Sequence, residues 1–216
     1  RMLHQKYPLL YDFEEKPIPT PQLHIHKSSL YLGVDLQAAI PAYISRTDLN
    51  NEMVLDLRKR DQIPDQFFKT ITAEGDMLSF ESGRFYLLST SEKLAIPAIE
   101  PHSNREGESY SATMIPIDAN YGDVRTHYAG FFDPGWGSGR NQERRGKAGT
   151  LEVRCMDASH VCFHGQALCG FDIERMRAFP DKVYGEGGSH YAVEYRGPQL
   201  PKHFHQTLSK VAPNPQ

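Results

Sequence analysis

No run of this chain approaches the roughly 20 consecutive apolar residues that a membrane-spanning helix needs. The first residues also lack the apolar stretch of a secretion signal, so no membrane partner is expected. Cysteine is scarce. Cys155, Cys162 and Cys169 stand seven residues apart, an odd number without a close pair. That spacing argues against a disulfide framework and for a reducing, cytoplasmic setting. There is no CxxC for a structural zinc, and no H-x-E with P-C-x-x-C, the signature by which zinc-dependent nucleobase deaminases activate water. Zinc-assisted activation of water is therefore not expected of this chain. A Walker-type GxxxxGK[ST] and a GxSxG nucleophile elbow are missing as well. Positive charge is not in excess: the net charge is −3 and the pI about 6.4. A nucleic acid polymer is therefore not an expected partner. A single nucleotide is still compatible, because its phosphates need only a few local donors.

Chain punctuators are plentiful. Seventeen glycines and fifteen prolines among 216 residues leave little room for long helices, while 39% hydrophobic residues supply a real core. The expectation is an all-β sandwich or barrel with few short helices. Residues 1–22 hold prolines at 8, 17, 19 and 21 and read as an extended arm or linker that docks on something else. Strands are expected at Leu30–Leu36, Arg84–Ser89, Lys93–Pro97, Ser111–Ile117, Arg125–Phe132, Gly149–Cys155, His160–Phe163 and Gln166–Glu174. Pro64–Lys69 suits a short helix opening on proline. His102–Ser109 reads as a polar loop, and Asn141–Gly149, charged and glycine-bounded, as a mobile hairpin or insertion. The tail from Tyr184 is too polar to be core, and residues 206–216 read as a flexible end.

Two places can carry chemistry. In Gly149-Thr-Leu-Glu-Val-Arg-Cys155, alternation places Leu151, Val153 and Cys155 on one face and Thr150, Glu152 and Arg154 on the other. The second face is either a solvated outer surface or a rigid mount for Glu152 in a cleft. A general base requires such a mount, since its reach to a substrate water must hold at about 3 Å. In His127-Tyr-Ala-Gly-Phe-Phe-Asp-Pro-Gly-Trp136, Asp-Pro-Gly signals a turn. There Asp133 can accept a hydroxyl hydrogen bond, and Phe132 and Trp136 offer flat faces to a base or sugar. The bland alternative is a hairpin capped by core aromatics. The pairs His24-Ile-His26 and His203-Phe-His205 resemble cupin metal ligands but read better as surface histidines, so no protein-held metal is expected. Gly139 and Arg140 could touch phosphate, although a glycine hairpin is the simpler reading.

These residues belong to a longer pattern. Ala112-Thr-Met-Ile-Pro-Ile-Asp118, Val124-Arg-Thr-His-Tyr-Ala-Gly-Phe-Phe-Asp-Pro-Gly-Trp136 and Leu151-Glu-Val-Arg154 closely resemble the C-terminal half of the fused, two-domain bacterial dCTP deaminases. Gly165–Glu174, Tyr184–Tyr191 and Leu200–Phe204 continue the likeness, which spans residues 23–205. The resemblance implies the β-clip or jelly-roll fold of dUTPases, and a homotrimer or a pseudo-hexameric assembly with a fused N-terminal half. It implies conversion of dCTP to dUTP and ammonia, with magnesium carried by the triphosphate. It makes Glu152 the catalytic group, Ala129 the backbone contact to pyrimidine or water, Asp133 the reader of the 3′-hydroxyl and Trp136 the aromatic of the turn. Arg125, His127, Tyr191 and Lys202 complete the candidate substrate contacts. The pattern also departs from the family: Asp118 and Asp123 occupy the expected phosphate segment and would repel a triphosphate, and Glu194 stands where a glutamine is expected. The phosphate grip is therefore expected from an upstream half, of which residues 1–22 are the end or the linker. A dUTP pyrophosphatase using Asp133, and a non-catalytic nucleotide-binding or trimer-forming half, are the standing alternatives.

Overall fold

The computed structural model describes residues 1–49, 53–104, 106–117, 124–126, 130–156, 159–188 and 196–204. A five-residue helix, α1 (Met2–Lys6), precedes β1 (Leu10–Tyr11), β2 (His24–His26), β3 (Ser29–Gly33), β4 (Ala42–Ser45) and β5 (Phe68–Ile71). There follow β6 (Met77–Phe80), β7 (Phe85–Leu94), β8 (Ala98–Ile99), β9 (Glu108–Pro116) and β10 (Val124–Thr126). The last four are β11 (Phe131–Phe132), β12 (Lys147–Cys155), β13 (His160–Phe163) and β14 (Ala167–Arg175). Short 3₁₀ turns at Thr20–Gln22, Pro64–Gln66 and Arg140–Gln142 are the other helical pieces described. The two that open on or beside proline exploit its preset φ.

One sheet runs β10-β12-β7-β4-β5, with β1 also on β7. The second runs β11-β9-β14-β3-β2, with β8 also on β9, and β13 pairs β6 in a separate ribbon. Every pairing between these strands is antiparallel. The sheets share one core: Leu30 and Leu32 of β3, Ala112 and Met114 of β9 and Phe171 of β14 join Leu88 of β7 and Leu151 and Val153 of β12. Each such aliphatic side chain stabilises the fold by about 2 kcal/mol when removed from water. The all-β expectation with few short helices is what the chain forms.

Several local expectations are corrected. Residues 1–22 do not stand apart: Leu9, Leu10 and Tyr11 are at most 5% exposed and enter the core through the β1–β7 pairing. The prolines of this segment bend it instead of detaching it. His4 is a buried hinge pin there. Its Nδ1 accepts from Leu9 N at 3.0 Å and its Nε2 donates to Ile18 O at 2.8 Å, while burial lowers its pKa. The two strands expected at Arg84–Ser89 and Lys93–Pro97 are one strand, β7, interrupted by a bulge at Thr90–Glu92 opposite Gly149. The polar residues that look like a break satisfy this bulge: Thr90 Oγ1 accepts from Gly149 N at 2.9 Å and donates to Glu92 O at 2.7 Å. The strand expected at Arg125–Phe132 divides between two sheets, as β10 and β11. The run 141–149, expected as a mobile hairpin, already carries the start of β12, with Lys147 opposite Leu94 and Ala148 opposite Lys93. The tail beyond Tyr184, expected outside the core, buries Leu200 and Phe204 against Tyr43 and Leu87.

Candidate functional site

A cleft of about 270 Å³ opens where the turn after β11 faces β12. Its first wall is carried by the turn Asp133-Pro-Gly-Trp136, from which Trp136 reaches the lining beside Phe132. Trp136 N donates to Asp133 O at 3.0 Å, and Gly135 has φ +86°, the left-handed value that the third position of a Pro-Gly turn requires. Gly135 N and Trp136 O both bond to Ile96, at 3.0 and 2.8 Å, which pins the turn to the short connection between β7 and β8. Gly137 follows at φ +68°, and a Cβ there would sit 2.1 Å from Leu94 O, so only glycine fits. The pinned turn holds Trp136 edge-on to Phe132, centroids 4.6 Å apart at 86°, and Phe132 in turn against Phe171 at 5.1 Å. Tyr184 stands 6.4 Å from Trp136, with its own N–H bonded to Pro134 O at 2.8 Å.

The facing wall is β12. Leu151, Val153 and Cys155 are fully buried, and the alternation turns Ala148, Thr150 and Glu152 to the cleft, with Glu152 opposite Leu87 in register. Glu152 is half-buried on the cleft-facing side of this strand. Lys147, only 9% exposed, closes the entry end of the strand. A third wall comes from the C-terminal segment, where Gln199 and Pro201 line the cleft and Gln199 N donates to Thr150 Oγ1 at 3.0 Å. The cleft thus pairs aromatic and apolar faces with one carboxylate, one ammonium and one amide side chain among its described lining. That mixture suits a flat heterocycle better than a polyanion.

The structure brings together three of the expected residues: Glu152, Phe132 and Trp136. Asp133, Arg125 and Lys202 are exposed and outside this lining. The pleat explains the first two: Phe132 and Thr126 point inward, so their neighbours Asp133 and Arg125 point out. Ala129, His127 and Tyr191 lie outside the described residues, as do Asp118, Asp123 and Glu194. Arg140 is committed elsewhere. It forks onto Glu186 at 2.5 and 2.8 Å and also bonds Glu100, and the guanidinium holds the Glu186 carboxyl down at about 2. That network ties the turn after Trp136 to the loop bearing Tyr184. His24 and His26 sit exposed on β2, and His205 lies outside the described residues. Among the described residues no three of His, Cys, Asp and Glu gather as a metal site. No described helix is long and apolar enough to cross a membrane.

Sequence reasoning passed over Lys147, Tyr184, Gln199 and Pro201. Lys147 was hidden in a charged run, and the other three approach through long-range packing. The one available signal was apolar spacing in the tail, where Leu200 and Phe204 fall four residues apart around Pro201.

Residues 1–204 match the family model described as 2′-deoxycytidine 5′-triphosphate deaminase (DCD), C-terminal domain. The fold is similar to the crystal structure of 2′-deoxycytidine 5′-triphosphate deaminase from Agrobacterium tumefaciens, with a TM-score of 0.62 and 25% sequence identity. That likeness covers 83% of this chain and 47% of the other, so the chain spans about half the length of that relative. Among curated proteins, no sequence matches this chain.

Proposed function

Because the chain belongs to the family of 2′-deoxycytidine 5′-triphosphate deaminase C-terminal domains, we propose that its cleft receives the cytosine end of dCTP and supports hydrolytic deamination to dUTP and ammonia. The observation that carries this reading is Glu152, mounted on a buried strand across a narrow cleft from Phe132 and Trp136. In the proposed reaction a water oxygen bonds to C4 of the ring while Glu152 takes its proton. Collapse of the tetrahedral adduct then breaks the exocyclic C4–N4 bond: Glu152 returns the first proton to the departing amine, giving ammonia, and the adduct's hydroxyl proton passes to ring N3, leaving the uracil ring. The Trp136 and Phe132 rings would hold the pyrimidine plane, and Thr150 and Gln199 would orient its polar edge. Magnesium enters as part of the nucleotide complex, since the described lining offers a single carboxylate where a resident divalent ion would want several. The same count favours attack on the base over attack at the α-phosphate. Asp133, which a pyrophosphatase reading would enlist, is exposed outside the lining.

A second reading, a nucleotide-binding half whose phosphate grip is completed by another half or subunit, is favoured by the scarcity of cations. Lys147 is the one cation on the described lining. A trimeric or pseudo-hexameric assembly with a fused N-terminal half belongs to this proposal, and the half-length coverage of the solved relative supports it. The test is to incubate the chain, and a longer chain that includes any upstream half, with dCTP and with dUTP in magnesium, measuring ammonia and pyrophosphate. Ammonia release that falls by about 10²-fold or more in Glu152→Gln supports the deaminase reading. Pyrophosphate that survives the substitution defeats it. Turnover by the longer chain alone assigns this half the second role.

A further inference from the structure

The C-terminal segment Arg196–Phe204 reaches the cleft as a strap fixed at both ends. At its far end Phe204 packs edge-on to Phe67 and Phe68, with centroids at 5.6 and 5.4 Å, and Gln62 N donates to His203 O at 3.2 Å. At its near end Arg196 makes a fork on Asp35: Nε donates to Oδ2 at 2.6 Å and Nη2 to Oδ1 at 2.9 Å. Asp35 is fully buried just beyond β3. Its other described neighbours are the Gln37 N–H, which it accepts at 3.0 Å, and His164 Nδ1 at 3.8 Å. The guanidinium also lies over the Phe13 ring, 4.8 Å from its centroid, so one arginine joins the N-terminal segment, the core and the strap. Between the anchors Gln199 and Pro201 face the cleft, and the Gln199 N–H seats on Thr150 Oγ1, two residues from Glu152.

We propose that Arg196, through its fork on buried Asp35, is a positioning residue that sets the Gln199–Pro201 wall against Glu152 and thereby governs nucleotide affinity. This rests on the reading of the cleft as a nucleotide site. The physical ground is that a bidentate charge pair fixes direction as well as distance. The fork lies three residues from Gln199, so a small swing at Arg196 displaces the wall. A buried carboxylate losing its only described cationic neighbour within bonding distance would destabilise the whole domain. The informative variant therefore removes both charges together, Asp35→Asn with Arg196→Gln, and Arg196→Lys keeps the charge while losing the fork.

Two readouts test it. Trp136 is the only tryptophan in the chain and lines the cleft, so its fluorescence reports nucleotide entry. Amide hydrogen exchange reports the seat of Gln199. For the double variant the dissociation constant for dCTP is expected to rise about tenfold and Gln199 exchange to quicken about tenfold, with β3 and β12 still protected. Where turnover is measurable, KM rises while kcat stays within about twofold. Arg196→Lys falls between the two. Unchanged affinity and unchanged Gln199 exchange overturn the proposal. Exchange that quickens alike in β3, β12 and the strap overturns it too, because the pair is then only a support of the fold. If dCTP leaves the wild-type fluorescence untouched both in this chain and in the longer chain that includes any upstream half, the nucleotide reading fails, and the exchange arm still decides whether the fork seats the wall.

Discussion

Replacing Phe132 by alanine removes a ring that the structure uses twice, as a cleft face and as the link between Trp136 and Phe171. Phe132 is 7% exposed and makes two edge-to-face contacts, at 4.6 and 5.1 Å. Truncating a phenylalanine buried to that degree costs about 3–5 kcal/mol in transfer and cavity terms. The aromatic pairs account for about 0.5–1.5 kcal/mol each of what is lost. The cleft side of the ring faces solvent and cannot leave a closed void, so a value near the bottom of the range, about 3 kcal/mol, is expected. With a urea slope of about 2–3 kcal/mol/M for a domain of this size, the unfolding midpoint should fall by roughly 1–1.5 M at an unchanged slope. Phe132→Leu, which keeps most of the volume, should lose about half as much. Equilibrium urea unfolding followed by Trp136 fluorescence and by far-ultraviolet circular dichroism measures this. A midpoint shift below about 0.3 M for the alanine variant would refute the reasoning, because the ring would then be a cleft face that the core does not need.

Gly137→Ala meets both a φ of +68° and a Cβ position 2.1 Å from Leu94 O. It should cost about 2–3 kcal/mol, read as a melting temperature lowered by roughly 5 °C or more, and an unchanged melting temperature would mean that the turn is not pinned as described. His4 supplies a pH dependence. Burial lowers its folded-state pKa below 6.5, so the native state favours the neutral ring. Its contribution is present in full above the unfolded value and is lost as pH falls through the folded one. The stability advantage of wild type over His4→Gln should therefore shrink between about pH 7.5 and pH 5, and an advantage that grows on acidification would reverse the assignment.

The strand that carries Glu152 was legible because alternation is a local property. Leu151, Val153 and Cys155 announce a buried face, and the opposite face follows from geometry alone. The Asp133–Trp136 turn was legible for the same reason, since Pro134 and Gly135 encode their own backbone angles. What could not be read was which distant segment leans on which. Lys147 sits in a run whose glycines and charges look like a loop, and only the partner strand β7, about 55 residues earlier, makes it the buried start of β12. Gln199 and Pro201 enter the cleft because Arg196 meets Asp35, 161 residues away. Nothing in the local pattern of either residue specifies that contact. The N-terminal segment fails in the same way: its prolines are local and visible, whereas the burial of Leu10 and Tyr11 depends on Leu94 and Lys93.

The disposition of cations bears on how the cleft can work. Arg140 is held by Glu100 and Glu186, Arg196 by Asp35, Arg84 by Glu81, and Lys93 stands 3.4 Å from Glu15. Each of these side chains serves architecture, and redirecting one to a phosphate would leave a carboxylate without its partner; for buried Asp35 that loss is severe. Lys147 is the one cation on the described lining, and it is largely buried there, so it acts strongly at short range. One ammonium can neutralise a fraction of a triphosphate's charge but cannot grip three phosphates against water. If the proposed nucleotide enters, the described walls suit its ring and sugar, and donors for its phosphates are expected from residues beyond those walls. If they come from another half or subunit, dCTP affinity should rise sharply when the partner is supplied, whereas affinity for uncharged deoxycytidine should change little. Equal gains for nucleotide and nucleoside would show instead that the partner reshapes the pyrimidine end, and the division of labour argued from the cations would be wrong.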